Sequence, residues 1–413
     1  MLEFLGRLRS YRFPFLKPYW TNGEWRALFD CLAGGRVIDG DDTLRFEELV
    51  KARFGTKFAM GTNSGRSGLQ LILESAGYKV GEVIVPSFGC TGTIQPILQA
   101  GLTPVFVDIE EDFNMDPSAL SDSITKNSRA VIVPSLYGKP ARLAEIRKIA
   151  KENGMLMIDD AAQAMGAVFS GKPVGTLGDA GIFSFSLGKV LSATAGGMVL
   201  TNSKHIDESV RAGLTVKESG IVVSSRAIET LMRGKYRRCF LPLLSIKNLL
   251  TRRLFKKDLS FKVAKLSNID AAICAEQLKS LDAIISLRRR NAKILNDELS
   301  SMPAIDLPEY TRENIFSKYT IKLNSAEKPA SVARSLELAR FARFMAGRGI
   351  EIEWTYVPLH LRPVFNQYRK GNLSVTEAVW WKSITLPVNP NFNEEDMKYI
   401  ASSIKAYFNE RKK

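Results

Sequence analysis

Histidine and cysteine are scarce in this 413-residue chain. The two histidines, His205 and His360, stand far apart. The four cysteines, Cys31, Cys90, Cys239 and Cys274, follow no paired spacing. This pattern excludes a disulfide framework and a structural zinc set, and makes a reducing cytoplasm the expected setting. No run of 18 apolar residues occurs, so no membrane-spanning helix is predicted. The opening stretch, MLEFLGRLRSYRFPFLKPYW, mixes arginines into short apolar groups. It lacks the continuous apolar region and small-residue cleavage site of a signal peptide. A packing arm is the preferred reading, ahead of a segment lying on a membrane surface. Internal repeats and low-complexity tracts are also missing.

What is present is ample apolar material and an excess of positive charge. Hydrophobic residues make up 45% of the chain, enough for one large domain and a smaller one. The net charge of +15 favours anionic partners. It is concentrated in 231–265, where eleven lysines and arginines face only Asp258. The plain reading of this segment is a solvated helical insertion packed on its own domain. Docking on an anionic membrane or an acidic partner, or gripping a nucleotide diphosphate, are the functional readings. Nucleic acid is not expected, because few aromatics interleave and no binding motif is present.

Along the first two-thirds, apolar strands alternate with helical stretches. Strands are predicted at 81–88, 103–109, 128–138, 155–160, 181–187 and 197–203, with helices at 93–101 and 140–154. That alternation predicts an α/β domain with a mostly parallel sheet. From about 268 a single long amphipathic helical region is predicted, followed by a smaller α+β domain with a strand at 319–323 and a helix at 331–349.

In such sheets ligands sit beyond the carboxyl ends of the strands. After 58–60 comes GTNSGRSG, which sets Gly65 and Arg66 at the start of a helix, a place that attracts phosphate. After MLMIDD come Asp159, Asp160 and Gln163. Helix capping is the plain reading of the acids; facing a cationic ring nitrogen is the functional one. After GIFSFSL comes Lys189, with apolar and small neighbours that would desolvate its amine and make it a nucleophile. A lysine, an acid and a phosphate cradle, each past a strand of one sheet, are the requirements of pyridoxal phosphate.

The stretches MIDDAAQAMGAVFSGKPVGTLGDAGIFSFSLGK, VIDGDDTLRFEELVKARFGTKFAMGTNSGRSGLQL and YVPLHLRPVF resemble the DegT/DnrJ/EryC1/StrS family of sugar aminotransferases, over about 20–405 with a gap around 220–265. The resemblance implies a fold type I pyridoxal-phosphate transferase, with a large cofactor-binding domain (1–280, carrying the basic insertion at about 222–265) and a small C-terminal domain (281–413). It implies Lys189 as the Schiff-base lysine and proton shuttle, and Asp160, rather than Asp159, opposite the pyridinium nitrogen. Gln163 falls near the ring's phenolic oxygen, and Ser184, Gly65 and Arg66 fall at the phosphate. A homodimer, a nucleotide-linked keto-sugar acceptor and an amino-acid donor such as glutamate are implied too. Three positions depart from the family pattern. Cys90 stands where an aromatic usually stacks on the ring, with Phe88 as a nearby substitute. Ala195 stands where a glutamate is usual, and an asparagine expected just before LSNIDAAI is missing. A non-catalytic scaffold and a sugar dehydratase are the alternatives. Dehydratase relatives carry histidine at the lysine position, so Lys189 favours transamination.

Overall fold

The computed structural model describes residues 11–234, 261–327 and 335–410. Its large sheet has seven strands among the described residues. In chain order they begin with β1 (Phe58–Thr62), β2 (Glu82–Pro86), β3 (Thr103–Val107), β4 (Ser128–Pro134) and β5 (Leu156–Asp160). A short hairpin, β6 (Val168–Phe169) and β7 (Lys172–Pro173), stands apart, and β8 (Ala180–Ser184) and β9 (Gly197–Thr201) complete the sheet. The spatial order is β1-β9-β8-β5-β4-β2-β3. Pairings from β8 to β3 are parallel, whereas β9 runs antiparallel to both β8 and β1.

Both faces of this sheet are covered, which is why its strands read as continuous apolar runs. Successive side chains alternate between the two sides. Ile84, Val131, Val133, Met157 and Phe183 pack on one side with helices Asn22–Ala33, Asp42–Phe54 and Asn268–Leu278. Val83, Val85, Ile132, Ile158 and Ile182 pack on the other with helices Gly65–Ser75, Ile94–Gln99 and Lys204–Gly213. Truncating a fully buried residue such as Ile84 to alanine would cost about 2–5 kcal/mol.

A second, antiparallel sheet has the order β10 (Ile305–Asp306), β11 (Tyr319–Leu323), β13 (Ser383–Leu386), β12 (Glu353–Trp354). Its core is shared with helices Leu281–Leu299, Leu336–Gly347 and Glu394–Glu410. The arm from residue 11 packs here: Phe13 is buried and its N–H donates to the Gly349 carbonyl at 2.9 Å. Among the described residues no helix is long and apolar enough to cross a membrane.

The single helical region expected from about 268 onwards is two helices, Asn268–Leu278 and Leu281–Leu299. The first is buried almost all round in the large core, while the second buries one face against the small sheet. The chain turns between them, where Ser280 donates its N–H to the Gln277 carbonyl at 3.0 Å. The basic segment lies largely outside the described residues, and with it the expectation of a membrane or acidic partner at 231–265.

Candidate active site

A cavity of about 960 Å³ opens at the carboxyl ends of β1, β4, β5 and β8 and at the amino end of antiparallel β9. All seven residues singled out from the sequence line it: Gly65, Arg66, Cys90, Asp160, Gln163, Ser184 and Lys189.

Strand β8 stops at Ser184, and Lys189 follows after a tight turn. Gly188 takes φ +90° there, and the Lys189 N–H donates to the Ser186 carbonyl at 3.0 Å. Ser192 Oγ donates to the Lys189 carbonyl at 2.9 Å, which fixes the backbone that carries the amine. Burial pushes the Lys189 pKa down, and the Lys318 ammonium adds to that push; Cys90 and Asp160 oppose it. The neutral amine, the nucleophilic form, is thereby favoured.

The two acids at the end of β5 point to opposite sides of the sheet, as strand alternation requires. Asp159 is fully buried away from the cavity, where its Oδ2 accepts the N–H groups of Gly175 (2.7 Å) and Leu177 (3.1 Å). Burial raises its pKa to about 7. Asp160 lines the cavity, with Oδ1 accepting the Ala162 N–H at 3.0 Å. Burial raises its pKa as well, while the Ala162 N–H and the Lys189 charge pull it down. One acid therefore braces the 175–177 loop and the other faces the cavity and Lys189.

Gln163 is held from two sides. Its Oε1 accepts the Tyr137 N–H at 3.3 Å, and its Nε2 donates to the Tyr356 hydroxyl at 3.2 Å. The segment bearing Tyr356 is tied to the end of β2. Ser87 Oγ shares a hydrogen bond with His360 Nδ1, and His360 Nε2 faces Glu377 Oε1 at 3.2 Å. Ser87 and His360 are buried, so this serine–histidine–glutamate row is a strut and not a nucleophile relay.

The helix Gly65–Ser75 starts at the cavity. Ser64 caps it by accepting the Ser67 N–H at 3.2 Å. The Gly65 and Arg66 N–H groups, in the first turn, have no acceptor within the helix. Gly196–Gly197 is needed for the close approach of β9 to this turn. Gly196 has φ +124°, and a Cβ on Gly197 would sit 2.5 Å from the Gly65 nitrogen. A Cβ on Gly65 would in turn stand 3.3 Å from Ser184 Cβ. Arg66 sits at the rim: its Nη1 donates to Gln95 Oε1 at 2.7 Å, and its guanidinium lies 5.1 Å from the Phe261 ring centre.

Phe88 does not substitute for a ring-stacking aromatic. It is fully buried with Phe113, Tyr137 and Tyr356, at centroid distances of 5.3, 6.4 and 6.1 Å, away from the cavity wall. Its neighbour Ser87 anchors the strut described above, and the same turn buries the ring in this aromatic cluster. Cys90 is exposed to the cavity, its Sγ accepting the Gly92 N–H at 3.3 Å.

Several contributors were not foreseen from the sequence. Asp270 is buried beneath the loop before the double glycine, where its Oδ1 accepts the N–H groups of Thr194 (2.9 Å) and Ala195 (3.1 Å) and the Thr194 hydroxyl (2.7 Å). One lone acid in the apolar run NIDAAICA was its only signal. Lys217, Glu218 and Arg226 form the far wall. Arg226 donates Nη1 to Glu218 Oε1 (3.0 Å) and Nη2 to Oε2 (2.7 Å), and lies 3.8 Å from Asp270 Oδ2. Ordinary charged residues in a stretch of mixed composition gave no hint of this role.

An amine, an acid and a helix start with free N–H groups beside a hydroxyl thus share one cavity. Their chemistry fits pyridoxal phosphate: Lys189 toward the aldehyde, Asp160 toward the ring nitrogen, and the Gly65 turn with Ser184 toward the phosphate. Residues 19–405 match the DegT/DnrJ/EryC1/StrS aminotransferase family. GDP-perosamine synthase of Vibrio cholerae is 28% identical over 406 residues, covering 96% of this chain and 99% of that protein. The dTDP-3-amino-3,6-dideoxy-alpha-D-galactopyranose transaminase of Aneurinibacillus thermoaerophilus is 27% identical, covering 95% and 99%. Among solved structures, Helicobacter pylori PseC, an aminotransferase involved in the biosynthesis of pseudoaminic acid, superposes with a TM-score of 0.79 at 21% identity, covering 96% of this chain and 99% of that one. The chain belongs to the DegT/DnrJ/EryC1/StrS aminotransferase family and is a pyridoxal-phosphate-dependent sugar aminotransferase with the fold type I architecture.

Proposed function

We propose that this enzyme moves an amino group from an amino acid, glutamate, to the carbonyl carbon of a nucleotide-linked keto sugar. The observation that carries this reading is the meeting of a desolvated Lys189 with Asp160 in one cavity large enough for a cofactor and a two-part substrate. Support for the nucleotide comes from Arg66, Lys217, Arg226 and Lys262 on the rim and far wall, where a diphosphate would meet cations. The printed activities of the Vibrio and Aneurinibacillus relatives, both on nucleotide sugars, point the same way.

When bound, pyridoxal phosphate supplies an aldehyde and an electron-accepting ring. The protein's own residues do the rest. The Gly65 and Arg66 N–H groups and Ser184 Oγ would hold the phosphate. Asp160, its Oδ1 fixed by the Ala162 N–H, keeps Oδ2 for the cationic ring nitrogen. Gln163, held by Tyr137 and Tyr356, would be the residue nearest the ring's oxygen. Lys189 Nζ, as a neutral amine, would take the proton from the donor's α-carbon and, as an ammonium in the second half-reaction, would give a proton to the sugar carbon that gains the amine. Because the donor leaves as a keto acid before the sugar enters, ping-pong kinetics are expected.

A homodimer belongs to the same proposal. Val216 and Val222 are about half exposed on the cavity wall, and Ile221 and Ile228 beside them are 84% and 46% exposed. An apolar edge at the mouth of a polar site suits cover by a second copy. Light scattering tests it, and a monomer at working concentration would remove it. For the reaction itself, purified holoenzyme is incubated with nitrogen-labelled glutamate and a panel of nucleotide keto sugars. Label appearing in an aminosugar supports the proposal. Loss of a sugar hydroxyl with no amine gained would instead establish a dehydratase. No turnover by a protein that binds cofactor would establish a scaffold.

A further inference from the structure

A second ammonium stands behind Lys189. Lys318 comes just before β11, where its N–H donates to the Tyr137 carbonyl at 3.4 Å. The two segments approach closely, since a Cβ on Gly138, which takes φ +91°, would sit 2.7 Å from the Ser317 nitrogen. The Lys318 side chain is only 15% exposed. Its Nζ pairs with Glu353 of β12 and lies 5.2 Å from the Tyr356 ring centre, 5.5 Å from that of Phe15 and 5.8 Å from that of Tyr137. Tyr137 and Tyr356 are the two residues that hold Gln163. Lys318 and Lys189 also line one small cavity of about 20 Å³, together with Arg288 and the exposed Lys17. No aspartate or glutamate among the described residues lines it.

A methionine would cover the same rings without taking an ammonium out of water, so packing alone does not explain a lysine here. We propose that Lys318 is a positioning residue for the reaction: Glu353 and the aromatic rings hold its charge where it keeps the Lys189 amine neutral and ready to react. The proposal rests on Lys189 as the reacting amine. Seen from Lys189, the pair is unequal, because Lys318 disfavours the protonated form more than Glu353 favours it. From the large cavity, Cys90 and Asp160 also favour the protonated form, and Tyr356 stays an uncharged phenol because burial pushes its pKa up. Arg288, on the wall of the small cavity, carries a charge of the same sign as Lys318. Breaking the pair from either end removes the same bridge but leaves opposite charges beside Lys189. A purely structural strut predicts one effect from both changes, whereas this proposal predicts two effects of opposite sign.

Full-length holoenzyme is titrated through the absorption change of its lysine-bound cofactor, which reports protonation at the Lys189 nitrogen. Relative to wild type, the midpoint should rise by about half a pH unit in Lys318→Met and fall by about as much in Glu353→Gln. Lys318→Arg, which keeps the charge, should stay close to wild type. The full-length chain freed of cofactor gives a second reading. At a fixed pH below the midpoint, trace acetylation of Lys189 is measured by mass spectrometry against the exposed Lys148. It should slow about threefold in Lys318→Met and quicken about threefold in Glu353→Gln. Unchanged values in both variants, or shifts of the same sign, overturn the proposal. A glutamate label that never reaches a sugar would instead remove the transamination proposal and leave these midpoints as they are.

Discussion

The two walls of the large cavity differ in kind. One is made from strand ends and the turns after them: Asp160 and Gln163 are 6% and 7% exposed, and Gly197 is packed against the Gly65 backbone. The other is made from 216–226 and 261–264, where Val216 and Val222 are half exposed and Arg226 is held by Glu218 and Asp270. The first wall carries groups with one chemical task each, in positions that the sheet fixes. The second presents charges and apolar side chains that can be exchanged without disturbing a strand. Under the proposed function, the first wall would carry the chemistry and the second the recognition of the sugar and its nucleotide.

Substitutions on the two walls should therefore have different kinetic signatures. Lys189→Ala removes the proton carrier and should lower kcat by at least about 10⁴-fold, measured in single-turnover assays with saturating substrates. Asp160→Asn keeps the shape and the Ala162 contact but removes the charge facing the ring nitrogen. A loss of about 2 kcal/mol of transition-state stabilisation, or roughly 30-fold in kcat, is expected. On the second wall, Arg226→Met should raise KM for the sugar about 10-fold and leave kcat within about threefold. A kcat collapse in Arg226→Met would mean that the two walls do not divide the work in this way.

The smallest effect concerns stability and tests whether the neighbouring acids are as different as they look. Asp159 ionises at an ordinary 3.8 when unfolded and near 7 when folded, because burial disfavours its charge. Its protonated form favours the fold. That contribution is complete below about pH 3.8 and is lost as the pH rises through about 7. Asp159→Asn lacks this loss, so its stability relative to wild type should increase by roughly 2.6 kcal/mol between pH 5 and pH 8. Denaturant midpoints at the two pH values measure it, and a pH-independent difference would count against the buried, raised carboxyl.

The first wall was largely legible because its residues obey local rules. Apolar runs marked the strands; Asp160 ends β5, and Gly65 and Lys189 come in the turns just after β1 and β8. Choosing Asp160 over Asp159 rested on the resemblance to the family; alternation along β5 is the physical reason that only Asp160 lines the cavity. The second wall was not legible. Arg226 and Glu218 look like any surface pair until the helix Gly220–Gly234 is placed over the cavity. Asp270 reaches Thr194 and Ala195 across more than 70 residues. The split of the helical region at 279–280 was missed because periodicity records which face is apolar, not which of two cores the chain is entering. Phe88 was misplaced for a related reason: closeness in sequence to Cys90 says nothing of the direction in which the turn sends each side chain.

By itself the sequence determined the class of fold and the cofactor, and it singled out Lys189 as the proposed reacting group, because these depend on strand periodicity, on residues near strand ends and on the family resemblance. Tertiary structure decided the rest. It put Tyr137 and Tyr356 on either side of Gln163, and it set Arg288 and Lys318 behind Lys189 with a cavity between them. Those arrangements join distant segments through burial. Desolvation of a charge depends on everything packed around it, which no local pattern of residues records.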